Sequence, residues 1–182
     1  MLTEPQMEWV LKCFEVCDEF KNAQDWEGLS DQIILFSNVY EWTFFKYYEC
    51  LPDHLKYQTA ISAYSKNGDM VPLVRKCVRE ALKYRPKNAL PEEILSQKEI
   101  TIYRAGEEPI EKAKYRISWT SDIEVARKFL YVYNYSKYRA KYLYKGVIKT
   151  DKIIAYYNER EEHEILQYRN VQNIKLLEEK TE

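Results

Sequence analysis

Glycine and proline are scarce in this chain of 182 residues, which has 4 Gly and 6 Pro. Long disordered linkers are normally rich in such residues, so the composition argues against them. The chain also lacks any run near the roughly 20 apolar residues that a membrane-spanning helix needs. Glu4, Glu8 and Lys12 interrupt the N-terminus where a signal peptide would be apolar. We therefore expect a soluble cytoplasmic protein, with export that uses no cleaved signal left open.

Metal-binding residues and excess basic charge are also limited. There are two histidines and four cysteines, none in Cys-x-x-Cys spacing: Cys13, Cys17, Cys50 and Cys77. No metal site is expected, and the cysteines are typical of small buried apolar residues in a reducing compartment. With 28 basic and 29 acidic residues, the chain lacks the positive balance of a dedicated nucleic-acid binder. A nucleic-acid acceptor is therefore not favoured.

What the first half does have is apolar residues at three- and four-residue steps, the period of a helix. This pattern predicts helices over residues 4–21, 30–50, 53–65 and 69–85, with a short helix at 91–95. A polar break around Gly28 is expected before the second helix, with Ser30 as its N-cap, and Asp69 is the expected cap of the fourth helix. Residues 1–98 are thus predicted to form a helical N-terminal region.

The second half alternates β-forming and polar residues instead. Strands are predicted at 99–104, 117–120, 142–149, 164–168 and 171–177, with a brief apolar segment at 152–156 and a helix at 122–131. The predicted fold class is α+β, with the helical bundle packed on a small, mainly antiparallel split β-sheet. Residues 99–182 would form the α/β core, and the two parts would make one compact body.

Two glutamates mark a charge-rich segment near the end of the chain. Glu162 and Glu164 lie two residues apart, and on a strand both carboxylates would share one face. His163 would then face the opposite way, which favours a structural role for it. Taken alone, such a segment is usually a solvated surface.

Four short motifs occur in order along the second half. They are Tyr103-Arg104-Ala105-Gly106, Ile117-Ser118-Trp119-Thr120-Ser121-Asp122, Val125-Ala126-Arg127-Lys128-Phe129 and Arg160-x-Glu162-x-Glu164-Ile165. Each motif alone is a weak signal. Together, from Ile100 onward, they resemble the arginine–serine–glutamate class of mono-ADP-ribosyltransferases. Two departures are Trp119, where many members have Thr, and Ala105, where many have Gly. Trp119 is expected to pack or stack where the hydroxyl would be.

The resemblance implies an ADP-ribosyltransferase-like fold and NAD as co-substrate. It places Arg104, with Tyr103 beside it, on the pyrophosphate side of NAD. Ser118 would hold either the catalytic glutamate or the ribose in register, and Thr120 offers a second hydroxyl. The forked donors of an arginine suit phosphate oxygens. These four residues are therefore the predicted NAD-binding residues.

The same resemblance implies that Glu164 and Glu162 carry the chemistry. Breaking the bond between nicotinamide and ribose spreads positive charge over the sugar, as in glycoside cleavage. A fixed carboxylate at Glu164 would stabilise that charge as it develops. Glu162 would orient or deprotonate the attacking group, and the Glu-x-Glu pattern implies that the group is an arginine.

Three functions are compatible with these residues. The first is an NAD-dependent protein mono-ADP-ribosyltransferase, such as a toxin or an effector directed at a phage or a host. The second is an NAD glycohydrolase, in which water replaces the protein acceptor and Glu162 is not required. The third is a catalytically silent domain of the same fold that binds a partner through its helical half.

Overall fold

The structure is a computed structural model that describes residues 3–37, 41–68, 72–133, 139–158 and 161–180, with the backbone alone for 41–43 and 45. The chain divides into two compact units, Met1–Pro86 and Lys87–Glu182. The sequence placed this division at residue 98. Leu90 and Ile94 are buried among residues of the sheet. The segment 87–98 therefore belongs to the second unit, and the boundary lies before it.

The first unit is helical, as predicted. Its helices are α1 (Glu4–Asn22), α2 (Trp26–Phe36), α3 (Glu41–Tyr48), α4 (Asp53–Asn67) and α5 (Pro72–Ala81). The helical periodicity places apolar side chains inside the unit, where Cys17, Leu29, Ile33 and Phe44 are fully buried. The long helix predicted over 30–50 is instead α2 and α3. The predicted cap of α5, Asp69, lies outside the described residues.

The predicted start of α2 was wrong. Asp25, not Ser30, caps this helix, and its carboxylate accepts a hydrogen bond from the Gly28 N–H at 2.9 Å. Gly28 lies in the first turn, where an added Cβ would stand 2.5 Å from the Phe20 ring. Close packing between α1 and α2 therefore explains the glycine. Ser30 is buried within the helix and shares a hydrogen bond with Thr59 at 2.7 Å.

The second unit is built on one antiparallel sheet of six strands. Its strands are β1 (Glu99–Gly106), β2 (Ser118–Thr120), β3 (Tyr142–Lys149), β4 (Ala155–Tyr157), β5 (Glu164–Leu166) and β6 (Gln172–Glu179). Their order is β4-β5-β2-β1-β3-β6. The α+β class and antiparallel pairing are thus confirmed. All six strands belong to one sheet, so the predicted split of the sheet is not shown; β1 and β2 are aligned through the pair Tyr103 and Thr120.

The two faces of this sheet are covered differently. One face packs on a cluster that contains Leu90 and Ile94, from around α6 (Glu92–Leu95), together with Ile102 and Trp119. The other face carries α8, whose bounds are Ile123–Tyr131; its residues pack against β1 and β3 in a cluster of Ala105, Ala126, Leu130, Ala140 and Leu143. The remaining helix, α7 (Ile110–Ala113), lies between β1 and β2 in the chain.

Among the helices that the structure describes, none has the length and apolar character needed to cross a membrane.

Candidate active site

A cleft that is open to solvent lies on the α8 face of the sheet. Its walls come from β1, β2, α8 and the start of β5, and the lining residues are Tyr103, Arg104, Ala105, Ser118, Trp119, Thr120, Ala126, Phe129, Glu162 and Glu164. All six residues predicted from the sequence as site residues are among them. The cleft therefore contains residues from all four motifs. The motif at residues 125–129 contributes Ala126 and Phe129.

A row of three residues crosses the strands on this face. Tyr103 of β1 stands opposite Thr120 of β2, and Thr120 stands opposite Glu164 of β5. Residues that are directly opposite in an antiparallel sheet point to the same side. Ser118, two residues before Thr120, shares that side. The register thus explains why a tyrosine, two hydroxyls and a carboxylate meet in one cleft.

Glu162 reaches the cleft by a different route from the one the sequence suggested. Strand β5 begins only at Glu164, so Glu162 precedes the strand. Glu161 and His163 on either side of Glu162 have φ of 55° and 45°, a left-handed conformation that is uncommon for residues other than glycine. This loop conformation, and not strand alternation, accompanies the entry of Glu162 into the cleft, whereas Glu164 enters it from β5.

Hydrogen bonds fix the loop against β2. The Thr120 hydroxyl donates to the Glu162 carbonyl at 2.7 Å, and the Ser121 N–H donates to the His163 carbonyl at 3.0 Å. The His163 ring bonds the Tyr156 hydroxyl through Nδ1 at 2.9 Å. These contacts agree with the structural role expected for His163, which ties the loop to β4.

Arg104 is held within the protein on two sides. Its Nη1 donates to the Ser118 carbonyl at 2.6 Å, and its Nε donates to a carboxylate oxygen of Glu108 at 3.3 Å. The side chain is only 12% exposed. Arg104 therefore links β1 to the start of β2 beside their short alignment, while still lining the cleft.

Glu108 is the residue of this region that the sequence reasoning missed. The same Glu108 oxygen accepts a hydrogen bond from Arg116 Nε at 2.6 Å, and the side chain is 8% exposed. Burial acts to raise the pKa of Glu108, but the charges of Arg104 and Arg116, with a backbone hydrogen bond, outweigh it and the pKa is lowered. The only signal in the sequence was an acidic residue four positions after Arg104.

The remaining aromatic residues near the cleft pack against their neighbours. Trp119 is 2% exposed and donates from Nε1 to the Arg116 carbonyl at 3.2 Å, so it packs, as expected for this departure from the motif. Phe129 makes an edge-to-face contact with Tyr133, and the Tyr131 hydroxyl donates to Glu178. The segment 131–141 is rich in Tyr, Lys and Arg, and its residues Tyr135, Lys137 and Tyr138 lie outside the described residues.

The arrangement suits a reaction that develops positive charge between two carboxylates. Glu162 and Glu164 supply negative charge, Ser118 supplies a hydroxyl, and Tyr103 and Phe129 supply aromatic surface. Such preorganised charge acts most strongly where the surrounding groups are partly removed from water. In the described part of the chain, no group of three or more His, Cys, Asp or Glu residues could hold a metal ion.

No protein-family model matches this sequence, and no curated protein or solved structure is significantly similar to it.

Proposed function

We propose that the protein is an NAD-dependent mono-ADP-ribosyltransferase that transfers ADP-ribose to an arginine of a target protein and releases nicotinamide. One observation carries the proposal. Residues from motifs that are up to 60 positions apart, Arg104 to Glu164, line a single cleft together with Tyr103, Ser118 and Glu162. A set of surface residues that matched the motifs by chance has no reason to meet in this way.

Glu164 is the residue that we assign to the transition state. When the bond between C1′ of the ribose and the nicotinamide nitrogen breaks, its electron pair leaves with nicotinamide. Positive charge then spreads over C1′ and the ring oxygen. A carboxylate fixed at the start of a strand stabilises this charge more than it stabilises bound NAD, so it lowers the barrier.

Glu162 is the residue that we assign to the acceptor. An arginine nitrogen forms the new bond to C1′ and must lose one proton, which a nearby carboxylate can accept. The guanidinium is also attracted to two carboxylates in one cleft. The presence of Glu162 beside Glu164 therefore favours transfer to a guanidine over transfer to water.

Nicotinamide release from NAD by the purified protein tests the reaction. Wild type should release nicotinamide, and Glu164→Gln should slow release by about a hundredfold or more, the size of loss typical for a group that stabilises transition-state charge. Glu161→Gln is a matched control, because Glu161 is exposed in the same loop and does not line the cleft. Release by Glu164→Gln at the wild-type rate would refute the mechanism.

The acceptor is tested separately with labelled NAD and a target-cell lysate. Mass spectrometry should find ADP-ribose on arginine side chains. Modification of other residue types alone would contradict the arginine assignment while leaving the NAD chemistry intact.

A further inference from the structure

We propose that Glu108 is a positioning residue that sets the guanidinium of Arg104 for NAD binding, an inference that rests on the proposed function. Arg104 lines the cleft, whereas Glu108 does not. Glu108 would therefore act through Arg104 and make no contact with NAD itself. Its influence should appear in the binding of NAD more than in the rate of the chemical step.

The geometry joins two arginines through one carboxylate oxygen. Oε1 of Glu108 lies 3.3 Å from Arg104 Nε and 2.6 Å from Arg116 Nε. Arg104 and Glu108 are nearly buried, at 12% and 8% exposure, while Arg116 is 42% exposed. Hydrogen bonds between charged groups in such partly buried surroundings are stronger and more directional than exposed ones.

Glu108 is itself held in place from two directions. The Tyr144 hydroxyl donates to the Glu108 carbonyl at 2.7 Å. The carboxylate fits against Gly106, where an added Cβ would lie 2.6 Å from Oε2. The absence of a side chain at Gly106 therefore makes room for the Glu108 carboxylate.

These contacts hold two of the three guanidinium nitrogens of Arg104. Its Nε is bonded to Glu108 and its Nη1 to the Ser118 carbonyl, so Nη2 is the nitrogen that we assign to the ligand. The cluster contains two positive charges and one negative charge, so it keeps a net positive charge. That charge suits the pyrophosphate of NAD, and a fixed guanidinium binds it without first losing side-chain freedom.

Two substitutions test this role in different ways. Glu108→Gln removes the negative charge at nearly the same volume. Gly106→Ala leaves every charge in place but displaces the Glu108 carboxylate, because of the 2.6 Å approach. Both variants should raise KM for NAD by about tenfold, as expected for loss of a hydrogen bond to a charged group, with kcat within about twofold of wild type. Glu111→Gln, an exposed neighbour on α7, is the matched control and should leave both constants unchanged.

A second measurement does not depend on activity. The Nε–H resonance of Arg104, assigned by its loss in Arg104→Lys, should shift in Glu108→Gln and in Gly106→Ala, and remain in place in Glu111→Gln. A lower kcat with unchanged KM would show a merely structural role and overturn the proposal, as would an unmoved Arg104 resonance. If wild type releases no nicotinamide, the proposed function fails, and the resonance alone decides whether Glu108 sets the Arg104 side chain.

Discussion

The Thr120 hydroxyl donates a hydrogen bond of 2.7 Å to the carbonyl of Glu162, which lies 42 positions further along the chain. The same hydroxyl accepts a hydrogen bond from the Asp122 N–H at 3.1 Å. Thr120 therefore fixes the loop that carries Glu162 to the end of β2. The resemblance assigned Thr120 to NAD binding, and these bonds give its hydroxyl a second task.

Thr120→Val removes the hydroxyl at nearly constant volume. Because Thr120 is 7% exposed, the Glu162 carbonyl and the Asp122 N–H lose a buried partner. We expect the free energy of unfolding to fall by about 1–2 kcal/mol and nicotinamide release to slow by roughly tenfold as Glu162 and Glu164 lose their fixed positions. Urea unfolding and NAD turnover measure the two effects. Thr120→Ser keeps the hydroxyl, so equal losses in both variants would count against this hydrogen bond.

Glu162→Ala separates transfer from hydrolysis. Transfer to a small guanidine compound should fall by about a hundredfold, because the acceptor loses its base. Release of nicotinamide to water should persist, because Glu164 still stabilises the developing charge. Both products can be followed by chromatography, with Glu161→Ala as the control in the same loop. A parallel loss of both reactions would contradict the role assigned to Glu162.

Glu108 should make stability depend on pH in the acid range. Its pKa is lowered in the folded protein, since the charges of Arg104 and Arg116 outweigh burial. The ionised carboxylate therefore stabilises the fold above the ordinary glutamate pKa, and this contribution is lost as pH falls through the folded-state pKa.

Urea unfolding of wild type and Glu108→Gln at about pH 7 and about pH 3 measures this contribution. Wild type should be the more stable protein at neutral pH, and the difference should shrink at acid pH. An equal difference at both pH values would show that the stability does not depend on ionisation of Glu108.

Only one of the four thiols should react quickly in the folded protein. Cys50 is exposed, whereas Cys13, Cys17 and Cys77 are buried. Burial raises the pKa of Cys17 and of Cys77 to about 12, so very little reactive thiolate forms at neutral pH. With a thiol reagent, one cysteine should react quickly in the native protein, and all four should react after denaturation. More than one fast thiol would contradict the packing of the first unit, and Cys50→Ser should abolish the fast reaction.

Gly28→Ala should destabilise the first unit. The new methyl group would stand 2.5 Å from the Phe20 ring and 2.6 Å from the Asp25 carboxylate that caps α2. We expect a loss of about 1–3 kcal/mol in the free energy of unfolding, as for other overpacked sites. Thermal and urea unfolding measure it, and Phe20→Leu in the same background should restore part of the loss. An unchanged stability would mean that the ring moves aside without strain.

The residues on strands were the most predictable part of the candidate site. Arg104, Ser118 and Glu164 stand in short motifs whose local pattern also predicts the strands, so side-chain chemistry and backbone direction could be read together. Glu108 could not be found in this way. It lies in a turn before Pro109, where an acidic residue is typically solvated, and only the folded chain brings Arg116 to it.

Long-range packing explains the errors in the first half. Asp25 and Ser30 are both good N-cap residues. The structure uses Asp25, and Gly28 in the first turn leaves room for the Phe20 ring of α1. The left-handed conformation of Glu161 and His163 was equally hidden, because residues other than glycine adopt it in only a few per cent of cases. Sequence periodicity reports one element at a time and does not record such contacts between elements.

The short alignment of β1 with β2 has a consequence for any molecule that occupies the cleft. Tyr103 and Arg104 belong to the set β1-β3-β6, whereas Ser118, Thr120 and Glu164 belong to the set β4-β5-β2. A ligand that contacts both sets would connect them at the strand pair with the fewest aligned residues. Binding of such a ligand should therefore also stabilise the sheet. At a fixed ligand concentration, the unfolding temperature should be higher for ligands that bind more tightly.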